Sequence, residues 1–160
     1  MNFVGHIHLA RIAVGDAEPV GVDPDRRRGQ PADRGFLVGA ALPDIAAMGR
    51  FRLAAPSTDL AVRGGIDLHH RTDDAFHRHP WFRRNAKAVT DELDRAGLTR
   101  GAARACGHVG VELLLDGRLL HDRSDLGPSV QWTIAELARP DLALSDMVGP
   151  EHRPAWAAHL

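Results

Sequence analysis

Gly64-Gly65-Ile66-Asp67-Leu68-His69-His70-Arg71-Thr72-Asp73-Asp74-Ala75-Phe76-His77-Arg78-His79-Pro80-Trp81-Phe82 holds four of the chain's ten histidines and three of its aspartates. With helix from Asp67 to His77, His69, Asp73 and His77 step by four along one stripe, each turned about 40° from the last. Imidazole and carboxylate on successive turns of one face converge without distorting the backbone, which suits a divalent cation. The same stripe also reads as a solvated face whose His and Asp pair at i,i+4. The flanking segments bear on that choice.

Before this stretch, Pro56-Ser57-Thr58-Asp59 forms a turn and an N-cap leading into Leu60-Ala61-Val62, and His79-Pro80 closes the helix. After it, Trp81 to Leu98 is an amphipathic helix with Phe82, Ala86, Val89, Leu93 and Ala96 inward, ended by Gly97. Residues 101–120 follow, and there His108, Glu112 and Asp116 again step by four. Burying these acids among Val109, Val111, Leu113, Leu114 and Leu115 is costly unless something cationic meets them. Either a metal or a salt bridge to Arg71 or Arg118 would do so.

The N-terminal segment Asn2-Phe3-Val4-Gly5-His6-Ile7-His8-Leu9-Ala10 is apolar apart from its histidines, with Asn2 as a candidate N-cap. On a helix His6 and His8 point about 160° apart, so one face cannot present both. Residues 15–35 are charged and interrupted by Pro19, Pro24 and Pro31, which predicts a surface loop over 16–34; Arg26-Arg27-Arg28 is solvated charge there. Gly35-Phe36-Leu37-Val38-Gly39-Ala40-Ala41-Leu42-Pro43-Asp44-Ile45 is a second apolar segment. Gly39, Ala40 and Ala41 allow close approach of another helix. Pro43 biases Leu42 away from the helical region, which puts Asp44 at a bend, as an N-cap or a metal ligand. A further helix is expected over Ser129 to Ala138, with residues 149–160 a tail in which His152 and His159 are incidental.

One hundred and sixty residues at 44% hydrophobic support one domain with a core, spanning 1–148. A formal charge of -1 and a pI near 6.8 give no basic footprint for nucleic acid. The one cysteine, Cys106, excludes a disulfide framework and is expected to be a buried, inert thiol. No secretory signal and no apolar run of about 20 residues is present, so no transmembrane segment is expected and a cytoplasmic location is the default. Tyrosine is absent and aromatics make up 5%, which suits a helical core of aliphatic side chains. The fold expected is an all-α single-domain helical bundle. There is no P-loop, G-x-G-x-x-G, G-x-S-x-G or paired C-x-x-C.

Two helical stripes, with His6 or His8 and Asp44, make a cage of His, Asp and Glu without Cys, which points to Mn, Fe, Zn or Mg. Such a cage lowers the pKa of a bound water and polarises a phosphoryl oxygen, so phosphoester hydrolysis is the natural reaction class. His70 or His77 is then a candidate donor to the leaving oxygen, and Arg71 a candidate partner for a non-bridging one. A non-catalytic helical protein with an internal polar network is the competing reading.

Three motifs resemble the acyl carrier protein phosphodiesterase family across Met1 to about Leu120. The opening Asn2 to Ala10 looks like N-F-L-A-H-L-H-L-A, and Phe36 to Asp44 is similar to G-N-L-L-x-D-F. Gly65 to Asp73 matches G-I-x-x-H-R-x-I-D. The resemblance implies an all-helical, divergent HD-type phosphohydrolase with Mn²⁺ as its usual cation. It implies release of 4'-phosphopantetheine from holo-acyl carrier protein, or hydrolysis of a related small phosphodiester. It carries over His6, His8, Asp44, His69 and Asp73 as site residues, with Glu112 and Asp116 at the acids of a D-x-x-x-D-H pattern. Gly117 stands where that family has the histidine of its Asp-His pair, His77 where it has an aspartate, and His70 where it has an arginine. A second likeness, to small helical zinc-dependent phospholipases C, lies in His108-Val109-Gly110-Val111-Glu112-Leu113-Leu114-Leu115-Asp116 and Ala41-Leu42-Pro43-Asp44.

Overall fold

Several helices begin where a side chain accepts the first free amide hydrogens. Asn2 caps α1 (Phe3–Ala13) and Asp59 caps α3 (Leu60–Arg78), its Oδ1 accepting from Ala61 and Val62. His79 Nδ1 accepts from Trp81 at the head of α4 (Pro80–Arg95), and Thr99 from Ala102 at the head of α5 (Arg100–Asp122). With α2 (Pro31–Met48) and α6 (Leu126–Leu137) these are the six helices among the described residues, which include no strand. The computed structural model describes residues 2–15, 31–53, 57–138 and 147. No described helix is long and apolar enough to cross a membrane.

The core lies where α1, α2, α3 and α6 meet. Val4, Ile7 and Ala10 of α1 pack with Leu37, Val38, Ala40, Ala41, Leu42, Ile45 and Ala46 of α2, closed by Val62, Leu126, Val130 and Leu137. α2 and α3 approach backbone to backbone. A Cβ on Gly39 would strike the carbonyl of Val62, and one on Gly65 the carbonyl of Phe36, so the small residues read from sequence do permit this crossing. α4 and α5 form a hairpin around Phe82, Ala103 and Val111.

Several expectations change. The predicted loop over 16–34 is shorter: residues 31–34 already belong to α2, Arg34 lies over the ring of Trp132 at 5.2 Å, and residues 16–30 lie outside the described residues. The tail over 149–160 also lies outside them. Pro43 does not end its segment but sits inside α2, so Asp44 is helical rather than at a bend. A mid-helix proline costs about 3 kcal/mol. Burying Leu42 and Ile45 on either side of it returns about 1.5–3 kcal/mol each, which offsets the break.

The apolar residues of α5 are not its inner face. Val109, Leu113 and Leu114 are exposed, Leu114 at 73%, while Val111, Glu112 and Asp116 are buried. The helix turns its acids inward and much of its leucine outward. Cys106 is exposed, not buried. Ala96 is exposed at the C-cap of α4, whereas Phe82 is inward as expected.

Candidate metal centre

Four helices bring the polar side chains together: His6 from α1, Asp44 from α2, His69, Asp73 and His77 from α3, and His108, Glu112 and Asp116 from α5. The α3 stripe faces inward as its spacing predicts. His69 and Asp44 donor atoms lie 3.8 Å apart, Asp73 reaches both His6 (3.7 Å) and His77 (3.0 Å), and His77 reaches Glu112 (2.8 Å). His6 is wholly buried and stacks on His69 with ring centroids 4.0 Å apart.

The hydrogen bonds fix which nitrogen of each buried ring carries its proton. His69 Nδ1 lies 3.0 Å from the carbonyl of Ala40, which can only accept, so Nδ1 bears the hydrogen and Nε2 presents a lone pair. His6 Nδ1 lies 3.0 Å from Thr72 Oγ1. That hydroxyl has one hydrogen and gives it back to the α3 backbone, at Leu68 O (2.9 Å) or His69 O (3.1 Å). Thr72 therefore accepts from His6 Nδ1–H, which makes Nε2 the lone-pair nitrogen of the neutral ring. Both Nε2 atoms face the Asp44 carboxylate at 3.8 Å, too far to be hydrogen bonds.

The two Nε2 atoms thus converge on the partly buried carboxylate of Asp44. His6 Nε2, Asp44 Oδ2 and Asp116 Oδ2 are buried with no hydrogen-bond partner among the described residues. An orphaned buried polar atom costs about 1–3 kcal/mol, and a charged one more. Burial pushes Asp44 up to about 7, with the neighbouring carboxylates of Asp73, Glu112 and Asp116 adding to the rise. Burial also lowers His69 to about 4, with His6 adding to it, so the ring is neutral at pH 7. Imidazoles oriented by Nδ1–H donation, with Nε2 directed at a carboxylate, form a donor set suited to a divalent cation. His6, Asp44 and His69 bring one donor atom each within 4.8 Å of one another.

A second triad, His77, His108 and Glu112, meets the same distance criterion on the open side. Burial alone would raise Glu112, but the hydrogen bond with His77 and the charge of His108 hold it below the ordinary value. Asp116 is the member tied to the fold: its Oδ1 accepts from Gly5 N at 3.1 Å in the first turn of α1, where a carboxylate also meets the positive end of the helix. Burial pushes it up to about 6, partly offset by that backbone bond.

Not every expected residue joins. His8 stands on the other side of α1, where burial and the charges of Arg123 and Arg11 lower its pKa, so it is in neither triad. That follows from its two-residue offset from His6. His70 is exposed, and Arg71 is exposed with its Nε on Asp67 O at 3.3 Å. The salt bridges that would have satisfied the α5 acids are not made: Arg118 pairs with Asp122 at 2.6 Å, on the surface. Sequence reasoning missed Thr72, which sets the His6 tautomer, and the Ala40 carbonyl, which sets that of His69. Neither has a sequence signal, because each depends on where a neighbouring helix passes.

Comparison of the chain with protein-family models, with curated proteins and with solved structures finds no match in any of the three.

Proposed function

We propose that this protein is a divalent-metal-dependent phosphoester hydrolase of HD-type character, its cation held by His6, Asp44 and His69 with Asp73 alongside. The observation that carries the reading is the pair of Nε2 atoms directed at the partly buried carboxylate of Asp44, beside buried polar atoms that no hydrogen bond satisfies among the described residues. A cation at that position would give His6 Nε2 and Asp44 Oδ2 the partner that no hydrogen bond supplies them. The donor set has imidazole and carboxylate but no thiolate, which favours Mn²⁺, Fe²⁺ or Zn²⁺. Mn²⁺ is the choice that the likeness to acyl carrier protein phosphodiesterases supports.

When bound, such a cation supplies a water of lowered pKa and a positive charge for a phosphoryl oxygen. The protein's own part is to hold that position. Thr72 and the Ala40 carbonyl keep the two rings in the correct tautomer, and Asp116 anchors the turn of α1 that delivers His6. His77 stands between Asp73 and Glu112, with a carboxylate oxygen within 3.0 Å of each ring nitrogen, so it is poorly suited to giving a proton to a leaving oxygen. Arg71 and His70, both exposed, would meet the outer part of a substrate at most. The proposed substrate is a phosphodiester, either the prosthetic arm of a carrier protein or a smaller ester.

Metal analysis after incubation with Mn²⁺ tests this, together with turnover of an aryl phosphodiester beside holo-acyl carrier protein. Wild type should retain the cation and cleave the aryl ester, and His69→Ala and Asp44→Asn should lose both, with turnover down at least about 100-fold. Cleavage of the aryl ester alone would remove the carrier protein as substrate and leave the chemistry. A wild-type protein that binds no Mn²⁺, Fe²⁺ or Zn²⁺ would instead be a polar-network scaffold.

A further inference from the structure

We infer that the protein takes up a second divalent cation, at His77, His108 and Glu112, next to the centre proposed above. The inference rests on that centre being a cation site and assigns it a neighbour. Its ligands come from α3 and α5 alone, and their donor atoms lie within 4.8 Å of one another. His77 Nδ1 is 3.0 Å from Asp73 Oδ2, which can only accept, so the ring is oriented from behind. Its Nε2 then points to Glu112 Oε1 at 2.8 Å, and His108 Nε2 approaches the same oxygen at 3.2 Å. Two imidazoles converging on one carboxylate oxygen is a hydrogen-bonded cluster that a cation can enter by replacing a proton.

A further observation favours a cation over a cluster that serves packing alone. The rings are walled by an apolar side chain: buried Phe82 meets His77 edge-on at 4.8 Å and His108 at 5.0 Å between centroids, and the two imidazoles lie 4.6 Å apart, tilted by 32°. The geometry is therefore held by contacts outside the hydrogen bonds. His108 is exposed, so this second position opens to solvent, and three protein ligands leave coordination positions for water or a substrate oxygen.

The test is titration of metal-stripped protein with Mn²⁺, followed by calorimetry and by electron paramagnetic resonance. Wild type should bind two Mn²⁺ per chain and give a spin-coupled spectrum. His108→Ala should bind one, with the remaining affinity within about threefold of the tighter wild-type site and an uncoupled signal. His108→Gln should weaken the second site at least about tenfold. His108 is exposed, so circular dichroism should be unchanged in both variants. Binding of one Mn²⁺ by wild type, with His108→Ala indistinguishable from it, would overturn the second cation and spare the first. Binding of two Mn²⁺ by His108→Ala would move the second site elsewhere and overturn its assignment. No binding by wild type would overturn both readings.

Discussion

Asp44, Asp116 and His69 are the residues in which burial has the largest chemical effect, and they act in opposite directions on stability. Asp44 sits at about 7 and Asp116 at about 6, while His69 sits at about 4, each moved by burial in the first place. Near pH 5 the folded protein holds protons on two carboxyls that an unfolded chain would largely have released, and lacks one on a histidine that the unfolded chain keeps. The folded state therefore binds about one net proton more, so the stability of metal-free protein falls as pH rises, at about 1.4 kcal/mol per pH unit. Urea denaturation of stripped protein between about pH 4.5 and 6.5 checks the sign, and a rising stability would contradict these ionisation states. Added Mn²⁺ should reverse the slope, because cation and proton compete for the same atoms. At this scale the sequence was informative about identity and silent about orientation. His69, Asp73 and His77 were legible from their spacing, whereas the apolar N-terminal run left His6 and His8 as alternatives. Nothing in the order of residues says that Thr72 hands its hydrogen to its own helix and so receives one from His6.

Elements were read well where a cap or a period defined them and poorly where burial overrode a local rule. Asn2 and Asp59 cap the helices they were expected to start. Local sterics make Pro43 a terminator, yet α2 runs through it because Leu42, Ile45 and Ala46 are buried there. On α5 the apolar run suggested a buried face, yet the helix packs through Ala103, Gly107 and Val111, and through Glu112 and Asp116, each set stepping by four, and leaves Leu113 and Leu114 in water. Two glycines separate tight crossings from open helix faces. Gly39→Ala pushes a methyl into the Val62 carbonyl and should destabilise by about 1–3 kcal/mol. Gly117→Ala meets nothing within 4 Å and should stabilise α5 by about 0.5–1 kcal/mol. Thermal melts of the two variants should move in opposite directions; a neutral Gly39→Ala would mean that α2 and α3 are farther apart than described.

For the whole molecule, the candidate centre is also a junction. Its ligands come from α1, α2 and α3, so a cation there ties together three helices that otherwise meet through the aliphatic core. A ligand that binds only the folded state stabilises by about 2.7 kcal/mol at a hundredfold excess over Kd. For a chain of this size that corresponds to a rise in Tm of about 5–11 °C. Scanning calorimetry with and without Mn²⁺ should show such a rise in wild type and little in His69→Ala, and an unshifted wild type would remove the cation from the fold's energetics. Asp73 has a consequence for this junction. Its Oδ1 faces His6 and its Oδ2 faces His77, so one carboxylate borders both positions. Occupants of the two sides share that group, and thermodynamic reciprocity follows: whatever factor the first imposes on the affinity of the second, the second imposes on the first. The molecule would then load as a cooperative or anticooperative pair, with Asp73→Asn the change that uncouples the two halves.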